Sequence, residues 1–219
     1  MPKAILFDAY GTIFDVHSVI RNAGADIAGD LDALSQLWRR KQLEYTWLHA
    51  LMERYEDFWQ LTWAALRSSV QQLSIPATDA QLEQLMQSYL TPDVFADASV
   101  ALAQFHALPL GILSNGSPSM LDSAVRHGNL ESHFAHVISV DSMGTYKPSP
   151  RVYALGTSRF KLPADEILFV SSNLWDAEGA KSFGYRVCWC NRSGAEFVSR
   201  NLDPDFIVAG LHQLPNQLP

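Results

Sequence analysis

One short stretch limits the architecture of this chain more than any other: Lys3-Ala4-Ile5-Leu6-Phe7-Asp8-Ala9-Tyr10-Gly11-Thr12. The apolar run Ala4 to Phe7 reads as a strand buried on both faces, as central strands of parallel sheets are. It stops at a carboxylate. Gly11 then supports a tight turn, and Thr12 sets a hydroxyl beside it. In an open α/β sheet, ligands bind at the carboxyl ends of strands. Asp8 is therefore a nucleophile, a metal ligand or a strand-ending cap, and this stretch alone leaves all three open.

The rest of the chain is written in two styles. From about Val16 to about Leu90 there are almost no strand signals. Leu31 to Leu51 and Glu53 to Leu73 read as long amphipathic helices carrying Trp38, Trp47, Trp59 and Trp63. Ser74 to Asp79 breaks the pattern, a further helix runs from Ala80 to about Tyr89, and Thr91-Pro92-Asp93 ends it. From Ser99 onward, helix and strand alternate. Strands are expected at Leu110 to Leu113, His136 to Val140, Ile167 to Val170, Arg186 to Cys190 and Phe206 to Val208. Helices are expected from Ser117-Pro118 to Gly128, from Arg151 to Arg159, and from about Ala177 to Phe183, with Gly184 ending the last. The expected fold is α/β: a Rossmann-like, doubly wound parallel sheet, with an α-helical bundle inserted after strand one. The domains expected are a core of residues 1–15 and 92–219 and a helical cap of residues 16–91, lying over the carboxyl end of strand one.

Composition narrows the class. With 47% hydrophobic residues, 219 residues can bury a substantial core. A net charge of −7 without any Lys/Arg-rich block argues against nucleic acid as a partner. No apolar stretch approaches the roughly 20 residues of a membrane span, and the first apolar run is too short for a signal peptide. Cys188 and Cys190 are read as lying on opposite faces of a strand, unable to bridge, and as reduced thiols in a cytoplasmic protein.

Three further turns carry unusual polar groups. Ser114-Asn115-Gly116-Ser117-Pro118 follows a strand and opens a helix, a setting suited to an anion; helix capping by Ser117 is the simpler reading. Lys147 lies in Gly144-Thr145-Tyr146-Lys147-Pro148-Ser149-Pro150, either facing solvent or held between turn residues and prolines. In Ser171-Ser172-Asn173-Leu174-Trp175-Asp176, Asn173 and Asp176 face one side if the turn enters a helix, unless Asp176 closes a capping box. Together these place Asp8, Ser114, Lys147, Asn173 and Asp176 at one edge of one sheet.

Asp8 to Thr12, Ser114-Asn115-Gly116, Lys147-Pro148 and Ser171-Ser172-Asn173 resemble the four motifs of the haloacid dehalogenase superfamily, and the inserted helices fit it as well. Phosphatases of that superfamily carry a second aspartate two residues after the nucleophile, where Tyr10 stands here. They also hold Mg²⁺ on acidic residues after the last catalytic strand, where this chain has Ser171-Ser172-Asn173 and only Asp176 is acidic. Mg²⁺ takes hard oxygen ligands, and Lys147 would oppose a divalent cation. Both departures resemble the L-2-haloacid dehalogenases, in which halide leaves without protonation. Leu37 to Tyr45 and Tyr55 to Trp59 are similar to the cap of that group. At Leu174 a smaller residue or proline would be expected.

The resemblance implies hydrolysis of L-2-haloacids to D-2-hydroxy acids, with no metal and no cofactor. It implies catalytic roles for Asp8, Thr12, Arg39, Ser114, Lys147, Tyr153, Ser171, Asn173 and Asp176. Substrate would lie against Tyr10, Arg39, Leu43, Phe58, Ser114, Asn115, Asn173 and Trp175, with Arg39 on the halide side and Arg40 and Lys41 in solvent. A homodimer through the cap helices is expected, prompted by their Trp-rich surface. The alternatives are the same attack on fluoroacetate or a cyclic imino acid, a superfamily phosphatase, or a binding protein that keeps the fold.

Overall fold

The computed structural model describes residues 1–105 and 107–218. Its strands, in chain order, are β1 (Ala4–Phe7), β2 (Phe14–Asp15), β3 (Asp93–Val94), β4 (Leu110–Ser114), β5 (His136–Ser139), β6 (Ile167–Ser171), β7 (Arg186–Cys190) and β8 (Phe206–Val208). The helices are α1 (Ser18–Ala23), α2 (Leu31–Leu51), α3 (Phe58–Gln72), α4 (Asp79–Ser88), α5 (Ala96–Leu102), α6 (Pro118–His127), α7 (Pro150–Phe160) and α8 (Leu174–Phe183).

Six strands form one parallel sheet in the order β5-β4-β1-β6-β7-β8. The first strand is flanked by β4 on one side and β6 on the other, so its residues pack against both neighbours and both covering layers. All four are fully buried. The chain runs outward from β1 through β4 to β5, then returns to the other side for β6, β7 and β8. This is a doubly wound order, and the crevice at the reversal lies beside the carboxyl end of β1.

Helices α1 to α4 occupy the chain between β2 and β3. These two-residue strands pair antiparallel, Phe14 opposite Val94 and Asp15 opposite Asp93. They were not expected from the sequence, because a strand of two residues leaves no periodicity to read. Side chains set the helix starts: Asp30 accepts from the Ala33 N–H at 2.9 Å, Asp57 from Gln60 N–H at 3.1 Å, and Thr78 forms a capping box with Gln81.

Four expectations need correction. The second long helix starts at Phe58, not Glu53; Glu53 has a positive φ and Asp57 caps the later start. The last helix starts at Leu174, three residues earlier than expected. Cys188 and Cys190 are two apart on β7 and so share a face; both are free and buried. The tryptophans of the helical block form less of a surface than expected: Trp38 is buried with its indole N–H on the Thr62 carbonyl at 2.9 Å, and Trp47, Trp59 and Trp63 are half-buried.

The cap at Asp57 is directly testable. Asp57→Ala removes the acceptor for the Gln60 N–H and should cost about 1 kcal/mol, read as a lower urea midpoint at an unchanged slope.

Candidate active site

Asp8 continues β1 by one residue, its N–H donating to the Val170 carbonyl at 2.9 Å. The chain then turns back sharply: Ile13 and Phe14 N–H groups both reach the Ala9 carbonyl, at 2.8 and 3.0 Å. Gly11 sits at φ +91°, a conformation that side-chain-bearing residues rarely adopt. This turn brings the Thr12 hydroxyl back to Asp8 Oδ2 at 3.1 Å, and the same hydroxyl accepts the Ser172 N–H at 2.8 Å.

The loops after β4, β5 and β6 close around that carboxylate. Lys147 Nζ, only 1% exposed, lies 3.0 Å from Asp8 Oδ1 and 2.9 Å from Asp176 Oδ2. Asn173 Nδ2 donates to Asp8 Oδ2 at 2.8 Å, and Ser171 Oγ stands at 3.4 Å from the same oxygen. Asp176, in the first turn of α8, accepts the Tyr153 phenol at 2.8 Å on its second oxygen. The solvent-facing reading of Lys147 is thus wrong. Asp176 also does not act as a capping box, since its side chain turns inward to Lys147 and Tyr153. Ser117 does not cap α6 with its side chain, which meets Ser119 instead. Asn115 Oδ1 accepts the Lys147 backbone N–H at 3.0 Å, and Ser114 Oγ accepts the Gly116 N–H at 3.1 Å.

The charges are unevenly shared. Burial works against the Lys147 ammonium, but the Asp176 and Asp8 carboxylates more than offset this, so its proton is held more tightly than usual. Asp176 is fully buried. Desolvation raises its proton affinity, Lys147 opposes the rise and Asp8 adds to it, and its pKa is raised to about 6. Burial, followed by the nearby Asp176 charge, keeps Tyr153 protonated.

The helical block supplies the facing wall. Arg39 on α2 donates to the Tyr10 carbonyl at 3.0 Å and to Gln42 Oε1 at 2.8 Å. Tyr10 packs among Phe14, Phe58 and Tyr89, with ring centroids 5.5–6.1 Å away. Its buried hydroxyl has no partner, and burial raises its pKa well above the ordinary phenol value. A narrow cavity of about 10 Å³ is lined by Asp8, Tyr10, Arg39, Leu43, Phe58, Ser114, Asn115, Lys147, Asn173 and Trp175. Thr12, Tyr153, Ser171 and Asp176 stand behind this lining. Arg40 is exposed and Lys41 half-buried. Among the described residues, no group of three or more His, Cys, Asp or Glu side chains is arranged to hold a metal ion.

Sequence reasoning missed several supporting groups. Arg192 donates to the carbonyls of Gly11 and Thr12 at 3.1 and 2.8 Å and to Ser172 Oγ at 2.8 Å. It also pairs with Asp97 at 3.0 Å and lies over the Phe95 ring at 4.1 Å. It follows the carboxyl end of β7 by two residues, and the same strand-end rule that picked out Asp8 would have found it. Buried Gln42 gives an N–H to Thr62 Oγ1 at 2.6 Å and accepts the Tyr89 hydroxyl at 3.0 Å, which fixes the Arg39 guanidinium. The segment before α3 is tied to the Lys147 loop: Tyr55 donates to Asp141 at 2.5 Å, and Tyr146 donates to the Glu56 carbonyl.

Residues 2–184 match the haloacid dehalogenase-like hydrolase family. The chain is 43% identical over 218 residues to (S)-2-haloacid dehalogenase H-109 of Pseudomonas putida, covering 99% of this chain and 97% of that one. It is 42% identical over 208 residues to haloacetate dehalogenase H-2 of Moraxella sp. (strain B), covering 94% and 93%. Its structure is similar to that of the L-2-haloacid dehalogenase from Xanthobacter autotrophicus with chloropropionic acid covalently bound. The TM-score is 0.90 at 37% identity, over 100% of this chain and 98% of that one.

Lys147 offers a test by stability. Lys147→Met leaves Asp8 and Asp176 buried together without a cation, which should cost about 3 kcal/mol or more. Lys147 opposes the rise that burial gives Asp176, so without it the Asp176 proton is held still more tightly in the fold than in the unfolded chain. The fold is then favoured at low pH, and that advantage is lost as pH rises. Denaturant unfolding should accordingly show a larger loss at pH 8 than at pH 5.

Proposed function

The chain belongs to the haloacid dehalogenase-like hydrolases, among the (S)-2-haloacid dehalogenases, and from that premise we propose that it hydrolyses short L-2-haloalkanoic acids to D-2-hydroxy acids with inversion. The observation that carries this reading is the setting of Asp8: a buried carboxylate, held by an ammonium and an amide, at the wall of a small cavity that Arg39 also lines.

The two Asp8 oxygens are not equivalent. Oδ2 takes Asn173, Thr12 and, at longer range, Ser171; Oδ1 takes Lys147 alone. In the proposed reaction Oδ1 attacks the substrate Cα opposite the halogen. The carbon–halogen bond breaks, and halide leaves with the electron pair toward Arg39 and the apolar side chains of Leu43 and Phe58. Arginine suits this position because it stays charged and is weakly hydrated. Halide charge grows only in the transition state, so its stabilisation there lowers the barrier. The substrate carboxylate and Asp8 repel each other by on the order of 4 kcal/mol at about 4 Å, and Lys147 and Arg39 offset this. Ser114 and Asn115 have a hydroxyl and an amide for the substrate carboxylate.

Water then attacks the Asp8 carbonyl carbon. Negative charge grows on Oδ2, where three donors already converge. Asp176, behind the lining, takes the water proton through a neighbouring water, with Tyr153 and Lys147 holding its orientation. The bond from the carbonyl carbon to Oδ1 breaks. Oδ1 departs as the product hydroxyl, receiving through the Lys147 ammonium the proton that Asp176 took, and Asp8 keeps the water oxygen as a carboxylate, its remaining proton passing to solvent. Haloacetate, named for the Moraxella relative, falls in the same substrate class as its shortest member. The position two residues after Asp8 carries Tyr10, sealed among aromatic rings, which favours this reading over phosphate transfer.

Residues 16–91 act, in this proposal, as a cap domain over a core of residues 1–15 and 92–219. We place the enzyme in the cytoplasm as a homodimer that joins through the half-buried Trp59 and Trp63 face of α3; a single-chain mass by sedimentation would remove the dimer.

Single turnover in ¹⁸O-water is the decisive experiment. Product of the first turnover should carry no label, and Asp8 should acquire one; label in that first product with none in Asp8 would mean direct attack by water. Asp8→Asn should lower halide release from (S)-2-chloropropionate by at least 10³-fold, with no release from the (R)-form by either protein. Because the base must be deprotonated, kcat should fall as pH drops through about 6. A burst of one halide per site should persist there, since ester formation does not use Asp176 as base.

A further inference from the structure

Beside the catalytic cavity lies a second, larger space of about 530 Å³, an open groove between the end of α2 and the Lys147 loop. Trp47, Ala50 and Leu51 form one side, and Tyr146, Pro148 and Trp175 form the other. No charged side chain lines it. Trp175 belongs to both spaces and is the partition between them. Its ring meets that of Trp47 edge-on, with centroids 5.4 Å apart and planes at 78°. Both indole N–H groups are buried without a hydrogen-bond partner.

We propose that this groove is the subsite for the alkyl chain of longer 2-haloacids, reached when the Trp175 indole swings aside. The proposal rests on the dehalogenase reading and deepens it. The cavity around Asp8 is narrow, and Arg39, Lys147, Ser114, Asn115 and Asn173 take up much of its wall. Tyr10, Leu43 and Phe58 give it an apolar side, but its free space of about 10 Å³ has no room for a long tail. The uncharged groove behind Trp175 is the adjoining space that does have room, each buried methylene contributing roughly fourfold to binding. The partition is suited to movement. A tryptophan pinned by its N–H would lose that bond on turning, whereas an unpartnered buried N–H gains water when it moves. Leu51, 82% exposed, extends the apolar surface at the groove mouth.

The test compares kcat/KM for (S)-2-bromopropionate and (S)-2-bromohexanoate in the full-length enzyme. Wild type should use the six-carbon acid within tenfold of the three-carbon acid. Ala50→Trp, which fills the groove away from Asp8, should lower the six-carbon to three-carbon ratio at least tenfold and leave the three-carbon value within twofold. Leu51→Gln, at an exposed position tolerant of change, should lower the ratio about fourfold, and Trp175→Ala should raise it. Equal effects on both acids, or an unchanged ratio in Ala50→Trp, would overturn the subsite. So would wild-type rejection of the six-carbon acid, or a change confined to oligomeric mass, which would mean that a second copy occupies the groove. If wild type releases no halide from either acid, the dehalogenase reading itself fails, and the subsite with it.

Discussion

A single ammonium group shared by two buried carboxylates is the interaction on which this structure turns. Asp8, Lys147 and Asp176 lie on three separate segments, joined by bonds of 3.0 and 2.9 Å in a place where water does not screen them. Such a cluster is tolerable only if every member is satisfied and held. The fold meets that demand by ending three neighbouring strands at one level. β1 presents Asp8; β4 presents Ser114 and Asn115, whose amide oxygen fixes the Lys147 backbone; β6 presents Ser171 and leads into α8 with Asp176. The central place of β1 gives it a neighbour on each side to supply these groups.

The helical block completes what the sheet edge cannot. An open sheet end is wet, and a carboxylate there is a poor nucleophile. Arg39, Leu43 and Phe58 shut the space above Asp8, and their own positions are fixed in turn. Gln42 holds the Arg39 guanidinium while bound to Thr62 and Tyr89, and Tyr10 fills the gap between block and sheet. Arg192 fastens the turn after β1 to the turn after β6 from behind. The groups that line the cavity therefore rest on side chains that stand outside its lining.

Much of this was legible in the sequence because it follows from strand ends. Asp8, Ser114, Asn173 and Asp176 each come just after a short apolar run, and a buried strand ending in polar residues is a strong local signal. Lys147 was ambiguous, since nothing local says whether a loop lysine turns in; two carboxylates far away in sequence decide it. Tyr153, Arg39 and Phe58 were reached through family resemblance, because a helical residue's spacing shows its face and not what the face meets. Gln42 and Arg192 were missed for different reasons. A buried glutamine looks like any polar residue of a helix, whereas Arg192 obeyed the strand-end rule and was overlooked. The start of α3 depended on Asp57 as a cap, one of several acidic residues that periodicity alone could not rank.

The short β2–β3 pair has a consequence beyond local geometry. It holds the two points where the chain leaves and rejoins the sheet side by side, with Phe14 opposite Val94. For the sheet, everything between them is a loop whose ends are already clamped, and the entropy of closing a loop grows only with the logarithm of its length. The sheet is thus nearly indifferent to what the clamp encloses. An inherited change that lengthens, shortens or replaces the enclosed helices alters the wall facing Asp8, whereas Lys147, Asn173 and Thr12, which bond its carboxylate, lie outside the clamp. The clamp makes the wall above the carboxylate exchangeable and the groups that bond it constant.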